Sequence, residues 1–364
     1  QVNQDVDNDN LINDMPNFGY GVDQDIDNLH DDLVKIYNQV EESNLIKFGI
    51  IDLDDNTMSQ LKPYIIIKEK YEKNFEFEIF NDEIIKKMLS DIKMISNKDS
   101  VTKFIQSYNH LETFDNFEIS ARIKHFILWT VKILWNVFAK NDSYLDKAHS
   151  EMHISTMLHA PVLECLFGCK DPSDANKIRR NEIKKKRVRL AQIPDAKLTY
   201  GIKDVEVLVV EKAKDPIHKD IKKASGDQNK LSMLMHDQHT CFYSILYENY
   251  LEEEMNKINV FGLRISKLQL TGYIMHVPAP GLYVKSRLFS VNFPKRLSDM
   301  SSLRECLINL IKFRLMLDKS YNDFLMVLEK DDGFRTPRRL GNPWIVKFNK
   351  SPPTILKEEK ENSK

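Results

Sequence analysis

The alternating valines Val205, Val207 and Val209, which lead into Glu211, constrain the fold more than any other segment. β-Branched residues at period two favour a pleated strand. Gly201 to Asp204 supplies a turn, and the residues from Pro194 to Tyr200 return as the partner strand of a hairpin. With the turn centred between Ile202 and Lys203, Asp195 faces Val210 and lies diagonal to Glu211. Two acids distant in sequence then meet at the open end of one hairpin. Adjacent carboxylates repel unless a cation or a proton joins them. A divalent metal is the usual reason to build such a pair. The alternative is a solvated strand end with two surface acids.

Around this hairpin the chain divides into four stretches. Residues 1–25 are rich in Asn and Asp with few apolar anchors, the composition of a disordered acidic N-terminus. Residues 26–140 read as mainly helical. Ile26, Leu29, Leu33, Ile36 and Val40 recur at helical spacing, as do Ile85, Met88, Leu89 and Ile92. Phe126 to Phe138 is apolar on most faces, which predicts a central helix with Trp129 and Trp135 in the core. Phe48–Ile51 and Tyr64–Ile67 look like short strands. The core is expected over 141–330. It opens with a helix from Asp142 to Phe167, capped by Asp142 or Ser143. After the hairpin come a helix from about Asp227 to Tyr250 and three strands, Asn259–Ser266, Gln269–Val277 and Leu282–Phe289. Their short connections predict an antiparallel meander. An amphipathic helix follows over 301–328, and residues 331–364 read as a flexible tail.

Charge is distributed unevenly. Residues 1–60 carry fourteen acids and two lysines, whereas the rest of the chain holds 51 basic and 40 acidic residues. An acidic head on a basic body fits affinity for nucleic acid, and also an ordinary solvated surface with an acidic tail. The basic residues cluster at Lys177, Arg179, Arg180, Lys184, Lys185, Lys186, Arg187 and Arg189. Such a cluster can hold backbone phosphates; its other reading is a solvated basic face. Four cysteines are too few for a disulfide scaffold, so an intracellular location, nucleus or cytoplasm, is the expectation. No apolar run approaches the ~20 residues of a membrane span.

The order of elements, with Glu151 on a helix, Pro194-Asp195 and Glu211 on a hairpin and then a further helix and strands, resembles the PD-(D/E)XK nuclease-like core. More narrowly, the chain is similar to an expanded fungal group of such proteins. That likeness runs through Ser150-Glu151, Arg179-Arg180-Asn181-Glu182, Pro194-Asp195, Val210-Glu211, Lys230-Leu231 and the meander from Phe261-Gly262 to Gly281-Leu282-Tyr283. The resemblance implies an α/β protein with a restriction-endonuclease-like mixed sheet flanked by helices. It also implies Mg²⁺-dependent hydrolysis of phosphodiester bonds in nucleic acid, DNA in particular. Asp195 and Glu211 would be the metal ligands, and Glu151 would complete the metal sphere. Where the family pattern has a lysine two residues after the strand glutamate, this chain has Ala213. Lys212 and Lys214 flank it; strand alternation points both away from the face of Glu211, but a bulge could re-aim one of them, which keeps Lys212 a catalytic candidate. Some proteins of this fold take the lysine from the following helix, which nominates Lys230. The alternative is a catalytically inactive module that binds nucleic acid or protein.

Other constellations carry less. His236 and His239 share a helix face, with Cys241 close by, and could meet zinc, but no second pair of ligands stands near them. Gly19-Tyr20-Gly21 has no strand before it and makes no nucleotide-binding loop.

Overall fold

The computed structural model describes residues 33, 35–40, 44–54, 61–71, 82–112, 119–140, 144–146, 151–167, 196–200, 205–212, 221–245, 258–279 and 282–329. Six strands, β1 (Ile50–Asp52), β2 (Ala196–Tyr200), β3 (Val205–Lys212), β4 (Val260–Ser266), β5 (Gln269–Ala279) and β6 (Leu282–Asn292), build one sheet in the order β1-β6-β5-β4-β3-β2. The β2–β3, β4–β5 and β5–β6 pairs are antiparallel, while β1–β6 and β3–β4 are parallel. Thus β1, β3, β4 and β6 point one way and finish at a common edge.

Parallel neighbours need a crossover, usually helical. Between β3 and β4 it contains α7 (Ile221–Ile245). The side chains of Leu231, Met235 and Phe242 are buried, as helical spacing predicts. Gly262 lets this helix lie close to β4, since a Cβ there would come 2.6 Å from the Met235 sulfur. Short connections join β4 to β5 and β5 to β6, giving the meander read from the sequence. Lys267, in the first of them, has a φ of 51°, the left-handed conformation that tight hairpin loops demand.

The opposite face of the sheet is covered by α8 (Leu303–Glu329). Its Phe313 packs edge-on against Phe261 of β4 and Phe289 of β6. The N-terminal helices are α1 (Lys62–Tyr71), α2 (Glu83–Ile92), α3 (Lys98–Tyr108) and α4 (Ile119–Lys140). Buried Ile85, Met88, Leu89 and Ile92 join those of α4 and α8 in the main core. A smaller cluster of Leu33, Ile46, Ile51, Tyr64, Ile67 and Val284 seals the β1 edge. Among the described residues no helix is long and apolar enough to cross a membrane.

Three local readings are corrected. Tyr64–Ile67 is part of α1, not a strand; Tyr64 and Ile67 are both buried, three residues apart on one helix face. The stretch from 142 to 167 is not one regular helix. A 3₁₀ turn spans Tyr144–Asp146, α5 spans Glu151–Ile154, a π-helical turn spans Ser155–His159, and α6 spans Ala160–Phe167. Pro161 explains the π turn, because proline cannot donate to the carbonyl four residues earlier and its ring crowds that oxygen. Trp129 is 39% exposed and stacks on His125, while Phe126, Ile127, Val131, Leu134 and Phe138 form the buried side of α4. Residues 1–25 and 331–364 lie outside the described residues.

Candidate functional site

Glu211 is the penultimate residue of β3, at the edge where β1, β3 and β4 finish. In open α/β sheets this carboxyl edge is where ligands bind. The Glu211 side chain is almost wholly buried, and the ammonium of Lys230 on α7 lies 2.5 Å from its Oε1. The Lys230 side chain keeps 28% of its surface exposed, so the pair reaches solvent through the lysine. The helix that crosses from β3 to β4 thus returns a cation to the strand it left. This places a lysine beside Glu211 although position 213 is alanine.

The strand register fixes what surrounds the pair. Ala196, not Asp195, stands opposite Val210, because the pairing shifts by one residue between Leu198 and Thr199. The irregularity moves the open end of the hairpin by one position relative to the expectation. Asp195 itself, the basic cluster including Arg179, Arg180, Lys184, Lys185, Lys186, Arg187 and Arg189, and Ala213 lie outside the described residues. Glu151 begins α5, and its side chain also lies outside them. Lys212 belongs to the other face: its charge acts on His159, which follows α5 in the π turn. Burial first, and the Lys212 charge second, press the His159 imidazole down to about 3. Of the named site residues, the described structure brings Glu211 and Lys230 together and sends Lys212 away.

A second polar group on the α7 face went unread in the sequence. Lys285 of β6 is fully buried, with its Nζ 2.7 Å from Asp52 Oδ2 and 2.8 Å from Ser232 Oγ. Gln228 donates to the same Asp52 oxygen at 3.0 Å. Lys285 also stands 4.4 Å from the ring centre of Tyr273. Farther along, Arg287 lies 3.4 Å from Asp54. Burial, aided by Asp52, raises the Asp54 carboxyl against the pull of Arg287 and Lys285. The Tyr273 phenol is pushed up to about 12, by burial first and then by Asp54 and Asp52, although Arg264 opposes the rise with a hydrogen bond and its charge. One sequence signal was present: alternation puts Lys285 on the same strand face as Tyr283, directly after the apolar Leu282, Tyr283 and Val284.

No family model, curated protein or solved structure matches the chain. The site therefore rests on its own geometry.

Elsewhere the candidates read as structure. His236 and His239 are buried against Tyr283, and His239 Nε2 lies 3.0 Å from the Met275 carbonyl oxygen. No group of three or more metal-ligating side chains occurs among the described residues. Cys165, Cys241 and Cys306 are free thiols, and burial raises those of Cys165 and Cys306. Trp129, Lys132 and Ile105 line a surface groove on α3 and α4, on elements other than those carrying Glu211 and Lys230.

Proposed function

We propose that this protein is a Mg²⁺-dependent nuclease with a restriction-endonuclease-like core, hydrolysing phosphodiester bonds in DNA. The observation that carries the reading is the Lys230–Glu211 pair at the carboxyl end of β3. A lysine from the following helix there answers the departure at Ala213. Carboxylate oxygens are the donors that Mg²⁺ prefers, so Glu211, with Asp195, would hold the ion, and Glu151 would complete its sphere. The ion would neutralise phosphate charge and make water more acidic. Lys230 orients the Glu211 carboxylate and offers a positive charge where negative charge develops during hydrolysis. The basic cluster from Arg179 to Arg189 would hold the DNA backbone.

A second reading, a module of the same fold that binds nucleic acid or protein without cutting, is favoured by the 3% exposure of Glu211 and by Ala213. Calorimetric titration separates the two. Mg²⁺ or Mn²⁺ binding by the parent that vanishes in an Asp195→Asn/Glu211→Gln variant supports the nuclease. Equal heats from both proteins, with DNA present or absent, remove it.

A further inference from the structure

We propose that Arg264 is the anchor for a substrate phosphate at the Glu211–Lys230 site, an assignment that rests on the nuclease reading. Arg264 pairs in register with Glu211 across the parallel β3–β4 ladder. Strands so paired run about 4.8 Å apart, so the arginine stands beside the carboxylate. Two positions before it, Gly262 faces α7. Alternation therefore gives Arg264 the face from which Glu211 meets Lys230.

Its electrostatic setting is unlike that of the other cations on this face. Lys230 pairs with Glu211, Lys285 with Asp52, and Arg287 with Asp54. Arg264 has no carboxylate partner among the described residues. It hydrogen-bonds the phenol of Tyr273, itself only 3% exposed. Its Nε is buried with no hydrogen-bond partner among those residues. A half-buried guanidinium held by a neutral phenol carries a desolvation cost that no ion pair among the described residues offsets. An incoming anion would offset it. The planar fork of donors matches the oxygens of a phosphodiester. Tyr273 fixes the fork in place, and the phosphate of a nucleic-acid strand passing Glu211 would be its acceptor.

The test measures binding of a short DNA duplex in Ca²⁺ across a salt series, cleavage in Mg²⁺, and thermal unfolding, on the full chain and on Arg264→Gln and Arg264→Lys. The Gln variant is expected to melt no lower than the parent, since it loses a half-buried charge that has no ion pair among the described residues. It should bind DNA about tenfold more weakly, with a salt slope smaller by about 1. The Lys variant should keep the slope but lose kcat/KM, because it keeps charge without the fork. A Gln variant with the parent's affinity and slope overturns the assignment. So does a Lys variant with the parent's kcat/KM, which decides the matter if the Gln variant does not fold. Arg264-dependent DNA binding by a parent that never cleaves would retain the anchor and remove the nuclease. A parent that neither binds nor cleaves DNA removes both.

Discussion

The ammonium of Lys285, fully buried, rests 2.7 Å from the Oδ2 of Asp52, a residue 233 positions away in sequence. Ser232 and Gln228 close the arrangement from α7. The pair ties the short edge strand β1 both to the sheet and to the helix that supplies Lys230. Breaking one side leaves a buried charge alone, which commonly costs about 3–5 kcal/mol. We therefore expect Lys285→Met and Asp52→Asn each to lower stability in chemical denaturation by that order. The Lys285→Met/Asp52→Leu double variant should recover much of the loss. Single variants as stable as the parent would show that the pair contributes no such constraint.

Asp82 gives the helical region an acid-sensitive joint. It caps α2 through the Ile84 and Ile85 amides and accepts from Ser120 and Lys124 of α4. Burial alone would raise this carboxyl, but the hydrogen bonds of Lys124, Ser120 and Ile85 outweigh it and bring it down to about 2. Its folded value lies below its unfolded one, so its contribution is fully present above about pH 4 and is lost as pH falls toward 2. With screening at a partly exposed site, the contribution is about 1 kcal/mol. Unfolding measured between about pH 5 and about pH 2 should show a shallower loss of stability in Asp82→Asn. Parallel curves would contradict the link.

Gly272 of β5 lies under the ring of Phe289, its register partner on β6. A Cβ at 272 would come 2.2 Å from that ring, which packs in turn against Phe313 of α8. Gly272→Ala is expected to cost about 1–3 kcal/mol by overpacking. Phe289→Leu in the same background should reduce that penalty. A Gly272→Ala protein that melts with the parent would mean the ring moves without cost.

The elements legible in the sequence were those with a long single period. Leu231, Met235 and Phe242 marked α7, and the alternation from Val260 onward marked the meander. Tyr64 to Ile67 misled because a four-residue apolar run fits either period, and only burial of Tyr64 with Ile67 reveals the helix. The hairpin register was off by one because the shift at Leu198/Thr199 leaves no mark in composition. At the site, Lys212 stood as a candidate that only a bulge could re-aim, and the structure turns it toward His159 instead; Lys230 entered only through the family likeness. Asp52, Lys285 and Arg264 could not be joined by spacing, since the sheet order that places them is set by long-range pairing.

Cleavage of DNA by the full chain in Mg²⁺, compared with Lys230→Met and Glu211→Gln at matched thermal stability, tests the central claim most directly. The account predicts cleavage by the parent, a fall of about 10²–10³-fold in Lys230→Met, and none in Glu211→Gln. Parent-like cleavage by both variants, or no cleavage of single- or double-stranded DNA by the parent, would contradict it.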